Sequence, residues 1–259
     1  MKSIILCEGP DDLWFLAYYL NKTADWDNCN QSQIRRFWPN YTLSVSNKKQ
    51  QVLYMFHEND SAAIWCVAGK DSFDAAIQTI FNKFVDNYPS DPINSLVLLR
   101  DRDMDRDEAI LSRFESSFEN KISLQNKAST IYSRLVDGEN VRIRVTPVII
   151  PFDDCGAIES LLMASVRDHS REGQIVVDEA CRYIDCLNGN PEIGQAYLRH
   201  EREIVKAKFA ATIAATNPGH ATGLFQDLVL SCPWERSEYV KKHFDVALKA
   251  ISTAVTVNA

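Results

Sequence analysis

The stretch Ser3–Leu20, SIILCEGPDDLWFLAYYL, predicts a buried strand that turns directly into a helix. The apolar run Ile4–Cys7 is typical of a short buried strand. Gly9 then permits a tight turn, Pro10 suits the first turn of a helix, and two aspartates follow where a helix N-terminus favours negative charge. Open α/β sheets bind ligands at the carboxyl ends of their strands. We therefore expect Glu8 and the two aspartates to lie at a ligand-binding edge.

Three further apolar runs are typical of buried strands, and they alternate with helical patterns: residues 63–68, 93–99 and 141–150. This alternation predicts an α/β fold with a mostly parallel four-stranded sheet flanked by helices, in which the first and third strands are adjacent. Beyond residue 166 the periodicity is helical, over residues 174–187, 193–215 and 237–257. We therefore predict a catalytic domain at 1–166 and a helical C-terminal region at 167–259.

An excursion at about residues 21–60 interrupts the predicted catalytic domain. Within it, residues 42–46 alternate like a strand, and residues 47–57 are interpreted as a short helix. Trp26, Phe37 and Trp38 either pack the excursion onto the core or contact nucleic acid beside two arginines, and packing is the preferred explanation.

The composition excludes several classes of protein. A net charge of −7 over 259 residues provides no global basic field for coating nucleic acid. Seven cysteines, an odd number with no Cys-x-x-Cys pair, favour neither a disulfide framework nor a zinc site. No apolar run approaches the ~20 residues of a membrane span, and the chain reaches Glu8 too early for a secretion signal. These features predict a cytoplasmic protein that is not in a membrane.

Acidic residues follow three of the predicted strands: Glu8 the first, Asp101 and Asp103 the third, and Glu159 the fourth. In a parallel sheet these strand ends share one edge, where clustered carboxylates repel unless they are protonated or bound to cations. Hard oxygen ligands suit Mg²⁺ or Mn²⁺. The alternative is that these acids follow the strands only because loops are polar. That explanation is adequate for an acid at one strand end and weaker for acids at three.

Two of these motifs, strand-Glu-Gly-x-x-Asp and strand-Asp-x-Asp, resemble those of a Toprim domain, the metal-binding catalytic module of topoisomerases, bacterial primases and several nucleases. Glu8 matches the family's glutamate, and Asp12 stands in the E-x-x-x-D/E form of OLD-family nucleases. Asp101 and Asp103 match the Asp-x-Asp pair. Residues 156–162, GAIESLL, resemble the Gly-x-x-Glu segment of OLD-like and related stand-alone Toprim proteins.

The resemblance spans about residues 3–166 and departs from the family's pattern in one place. Arg102 stands between the two aspartates, and the acidic run continues to Asp105 and Asp107. This departure leaves open which acids bind metal.

The resemblance implies a Rossmann-like Toprim fold and phosphoryl-transfer chemistry with Mg²⁺ or Mn²⁺, in which two cations clamp the attacking and leaving oxygens of a phosphodiester. The implied metal ligands are Glu8, Asp12, Asp101, Asp103 and Glu159. The implied activity is that of a nuclease acting on DNA or RNA, with Glu8, Asp101 and Asp103 as catalytic residues. Such domains are often fused to or partnered with an ABC-type ATPase, and several serve in anti-phage defence. Because this chain has no ATPase motif, the ATPase would be a separate protein.

OLD-like Toprim domains also use a lysine near the charge of the transition state. The segment Ile204–Ala211, with the pattern K-x-K-x-x-A, resembles their C-terminal lysine helix and offers Lys206 and Lys208 as catalytic candidates. A solvated helix face is the alternative. Two residues apart on a helix, these lysines point in different directions, so that one of them at most faces the acids. Lys70, at the end of the second strand, is a rival candidate.

Two other functions remain open. A Toprim-like subunit that binds a partner without catalysis is one, and the retained acids count against it. A metal-dependent nucleotidyl-sugar transferase is the other, in which an Asp-x-Asp holds a metal-bound diphosphate but the Glu8 turn is not needed. The sequence leaves the choice between DNA and RNA and the presence of a homo-oligomer undecided.

Overall fold

The computed structural model describes residues 1–40, 43 and 50–252. Within this part, the chain has an α/β fold with a mixed seven-stranded sheet flanked by helices. The strands are β1 (Lys2–Cys7), β2 (Asp27–Asn28), β3 (Gln51–His57), β4 (Asp60–Cys66), β5 (Ser95–Asp101), β6 (Thr130–Val136) and β7 (Glu139–Ile150). The helices are α1 (Pro10–Ala24), α2 (Gln31–Phe37), α3 (Phe73–Ile80), α4 (Asp107–Ser117), α5 (Ile158–His169), α6 (Arg171–Asn188), α7 (Pro191–Tyr197), α8 (Glu201–Thr216), α9 (Phe225–Ser231) and α10 (Glu238–Ser252).

The contacts divide the chain into two units. Unit 1 comprises residues 1–100 and 105–149 and the end of the chain from Phe244, and it contains the sheet and helices α1–α4. Unit 2 comprises residues 101–104 and 150–243, and it contains helices α5–α9. The domain boundary at residue 166 stays a prediction from periodicity.

The order of the sheet is β2-β3-β4-β1-β5-β7-β6. Strand β1 lies between the parallel strands β4 and β5, with Cys7 opposite both Cys66 and Leu99. The prediction that the first and third strands are adjacent is confirmed. The prediction of a mostly parallel four-stranded sheet is wrong, because β2–β3, β3–β4 and β6–β7 are antiparallel pairs.

Two hairpins account for two of these antiparallel pairs, β3–β4 and β6–β7. Strands β6 and β7 join through Asp137-Gly138, both at positive φ, as a type I′ hairpin turn requires. Strands β3 and β4 also join through a two-residue turn, at Glu58 and Asn59, in which Glu58 has a positive φ. The helix predicted at 47–57 is therefore wrong from residue 51 onward, since pairing with β4 outweighs the local pattern.

Some predictions fall on residues that the structure does not describe. The strand predicted at 42–46 lies outside the described residues except for Leu43, and so do residues 47–49 of the predicted short helix. The last predicted helix, 237–257, is described as far as Ser252, within α10.

The core of unit 1 joins one face of the sheet to α3 and α4. Ile4 and Leu6 share a hydrophobic cluster with four buried side chains that recur at helical spacing in and just after α3: Phe73, Ile77, Ile80 and Phe84. Strand alternation directs the side chains of Ile5 and Cys7 to the opposite face. Trp26, Phe37 and Trp38 are also buried, and packing therefore accounts for the three rings.

In unit 2, α5, α6 and α8 pack against one another. The continuous helix expected over 193–215 is divided into α7 and α8. The division coincides with His200, whose backbone N–H donates to the Glu203 carboxylate and so begins a new helix. Among the described residues, no helix is both long and apolar enough to cross a membrane.

Candidate functional site

In unit 1, Glu8 and Asp12 flank the turn from β1 to α1. Both side chains are only 3% exposed. The Glu8 carbonyl accepts from the N–H of Gly69 at 3.0 Å, which ties this turn to the residues after β4. The Asp12 carboxylate accepts from the N–H of Gly9 at 2.7 Å. Asp12 therefore also stabilises the first turn of α1, where negative charge is favoured.

A buried thiol lies against the same turn. The Cys66 Sγ is 3.8 Å from the carbonyl oxygen of Glu8. Burial raises the pKa of the Cys66 thiol, and the negative charge of Asp12 adds to this effect. Since the thiolate is the nucleophilic form, Cys66 is not suited to nucleophilic catalysis.

In unit 2, the Asp-x-Asp segment contacts the segment that contains Gly156. The Asp101 Oδ1 accepts from the backbone N–H of Ile158 at 3.1 Å. Asp103 and Gly156 exchange two backbone hydrogen bonds of 2.7 and 2.8 Å. Gly156 has a φ of +134°, and a Cβ at this position would lie 2.2 Å from Ser160 Oγ. Glycine is therefore required where this segment approaches Asp103.

Glu159 is the second residue of α5, and it is 5% exposed. Lys206, on α8, brings its ammonium nitrogen to 3.2 Å from the Glu159 Oε1. Lys208, on the same helix, pairs instead with Asp185 at 2.7 Å. The two candidate lysines therefore face different carboxylates, and Lys206 contacts an implied metal ligand.

The third candidate lysine, Lys70 in unit 1, contacts Asp105. The Lys70 Nζ lies 3.5 Å from the Asp105 Oδ2, and the Arg100 Nη2 lies 2.5 Å from the same oxygen. Burial raises the pKa of Asp105, but the positive charges of Lys70 and Arg100 outweigh it and hold that pKa below its usual value. Asp107 accepts from the Asn126 amide at 3.2 Å. Unit 1 thus supplies partners for Asp105 and Asp107, the acids whose part in metal binding the sequence left open.

We predict that Asp105→Asn destabilises the protein by about 1–3 kcal/mol, because it leaves the guanidinium of Arg100, only 2% exposed, without its counter-charge. Urea unfolding measures this change in the free energy of unfolding. Asp71→Asn, at an exposed position, is the matched control and is expected to stay within ~0.5 kcal/mol of wild type. Equal stabilities of the two variants would contradict a structural role for Asp105.

Among residues 1–40, 43 and 50–252, no group of three or more His, Cys, Asp or Glu side chains is arranged as a metal site. The chemistry of the individual donors nevertheless fits a hard cation. Glu8, Asp12, Asp101 and Glu159 have at most 5% exposure, and burying an ionised carboxylate is costly unless it is hydrogen-bonded, paired or bound to a cation. Oxygen donors of this kind suit Mg²⁺ or Mn²⁺ better than Zn²⁺.

No protein-family model matches this chain, and no curated protein matches it. The chain is similar to the crystal structure of a hypothetical protein from Pyrococcus horikoshii OT3, with a TM-score of 0.45 and 13% sequence identity over 95% of this chain and 99% of that chain.

Sequence reasoning assigned no role to two residues of unit 2. Arg102 donates through its side chain to the carbonyls of Pro151 and Phe152. His243 accepts from the N–H of Phe152. The position of Arg102, a cation between Asp101 and Asp103, was a sequence signal that could have indicated its role. His243 has no neighbouring motif that indicates its contact with Phe152.

Proposed function

We propose that this chain is a divalent-metal-dependent nuclease that cleaves the phosphodiester bonds of DNA or RNA. One observation carries the proposal: in unit 2, the Asp-x-Asp segment is hydrogen-bonded to the Gly-x-x-Glu segment, and the glutamate of that segment contacts Lys206. These contacts join three separate parts of the sequence, each of which resembles a catalytic motif of OLD-like Toprim proteins.

Asp101, Asp103 and Glu159 are the residues of unit 2 that would hold Mg²⁺ or Mn²⁺. On the sequence motif alone, Glu8 and Asp12 are also assigned as metal ligands. Divalent cations, when bound, supply the positive charge that stabilises the attacking and leaving oxygens of a phosphodiester displacement.

The residues of the chain have roles of their own in this proposal. The N–H of Ile158 orients the Asp101 carboxylate, and the backbone bridge to Gly156 fixes the position of Asp103. The Lys206 ammonium neutralises Glu159 and offers positive charge to the phosphoryl group in the transition state.

The wider assignment as a stand-alone Toprim protein resembling OLD-like nucleases rests on the sequence motifs, and the parallel arrangement of β4, β1 and β5 supports it. The same resemblance supports a separate ABC-type ATPase as partner and a role in anti-phage defence. All seven cysteines lie in the described part of the chain and are free thiols, which supports a reducing, cytoplasmic location.

The test is incubation of the purified protein with plasmid DNA, single-stranded DNA and tRNA, each in Mg²⁺, Mn²⁺ or EDTA. We expect cleavage of at least one substrate that requires the metal and stops in EDTA. Asp103→Asn, purified in the same way, is the control for contaminating nucleases and is expected to be inactive. Cleavage that persists in EDTA or in Asp103→Asn would contradict the proposal, and cleavage of no substrate would favour a partner-binding subunit.

A further inference from the structure

Arg102 lies between Asp101 and Asp103, and it donates three hydrogen bonds to main-chain carbonyls. Its backbone N–H donates to Ile150 O at 2.6 Å. Its side chain donates from Nε to Pro151 O at 2.9 Å and from Nη2 to Phe152 O at 2.6 Å. The guanidinium group thus binds two successive carbonyls with two of its donors, a geometry that its rigid planar fork provides and a lysine ammonium does not.

The segment that Arg102 binds is also held by His243. The backbone N–H of Phe152 donates to His243 Nε2 at 3.0 Å. Because Nε2 accepts, the ring proton lies on Nδ1, which is 2.7 Å from Tyr239 O and donates to it. The His243 side chain is fully buried, so this contact is shielded from water.

The same segment leads to the residues that hold the two aspartates. It runs from Ile150 to the start of α5, and along it Gly156 is bridged to Asp103 and the N–H of Ile158 donates to Asp101. Arg102 therefore fastens the segment near its beginning, while both neighbours of Arg102 contact it near its end. Glu159 follows directly.

We propose that Arg102 is a positioning residue that fastens residues 150–158 to the Asp-x-Asp segment. Through these contacts, Asp101, Asp103 and Glu159 keep a fixed arrangement within unit 2. The consequence for metal binding rests on the proposed function, whereas the ordering of the segment does not. Outer contacts of this kind typically change metal affinity by about 10–100-fold when they are removed.

The experiment compares Arg102→Lys and Arg102→Ala with wild type. Arg106→Lys and Arg106→Ala, at an exposed position four residues away, are the matched controls. Hydrogen exchange of the metal-free proteins follows the amides of Gly156 and Ile158, and calorimetric titration with Mn²⁺ measures affinity. Thermal melting establishes that each variant is folded, and Arg102→Lys tests the role if Arg102→Ala does not fold.

We expect both Arg102 variants to exchange these two amides ~10-fold or more faster than wild type, because local opening becomes easier. We expect their Mn²⁺ affinity to fall by at least ~10-fold. Wild-type exchange in a folded Arg102→Lys would overturn the role of the two-donor fork. A wild-type protein that binds no Mn²⁺ would contradict the proposed function alone, since exchange in the metal-free proteins still decides the role of Arg102.

Discussion

The double variant D101N/D103N is expected to lose metal-dependent cleavage by ~10³-fold or more. The two carboxylates are the proposed centre of the metal site, and bound metal contributes several kcal/mol to the stability of the transition state. Since each ~1.36 kcal/mol of transition-state stabilisation changes the rate about tenfold, the loss of several kcal/mol lowers the rate by ~10³-fold or more. Asparagine at position 101 can still accept the Ile158 N–H with its side-chain oxygen, and the fold is therefore expected to be retained.

Thermal melting supplies a second readout for the same variant. A cation that binds only the folded protein raises the melting temperature by mass action. We expect Mg²⁺ or Mn²⁺ to stabilise wild type and the Asp71→Asn control, and to leave the double variant unchanged. Without metal, the double variant is expected to be at least as stable as wild type, because two negative charges have been removed. Equal stabilisation of wild type and double variant would show that the metal binds elsewhere.

Lys206→Ala is expected to lower the turnover number by ~10²-fold or more, because Lys206 contacts Glu159 and is the proposed charge at the phosphoryl group. Lys208→Ala is the matched control on the same helix. It removes a lysine that pairs with an exposed carboxylate, and we expect a wild-type rate and a free energy of unfolding within ~0.5 kcal/mol of wild type.

Single-turnover cleavage rates measure the effect, and Lys206→Arg tests whether positive charge alone restores part of the rate. A wild-type rate in both alanine variants would assign α8 a structural role. Lys70 would then be the next candidate, although its contact with Asp105 already gives it a structural partner in unit 1.

The turn at Glu8 shows how much of the candidate site could be predicted from local sequence. The apolar run before it and the Gly9-Pro10 pair after it predict a strand followed by a helix, and the structure has β1 and α1 there. The acids after Leu99 were equally predictable as a group. The sequence did not predict which of those acids pair with cationic side chains. Arg100 and Asp105, for example, meet through a turn of the backbone that no sequence spacing predicts.

The remaining differences concern contacts between distant residues. Local sequence by itself determined the four apolar strands and the order of the acidic motifs, because burial and turn chemistry act over a few residues. Tertiary structure alone decided that residues 51–57 form a strand, since their pairing with β4 satisfies backbone groups that a helix would satisfy internally. Tertiary structure also decided that Lys206, and not Lys208, contacts Glu159. The two lysines point in different directions on α8, and the carboxylate that each one meets depends on how α5 and α6 pack against α8.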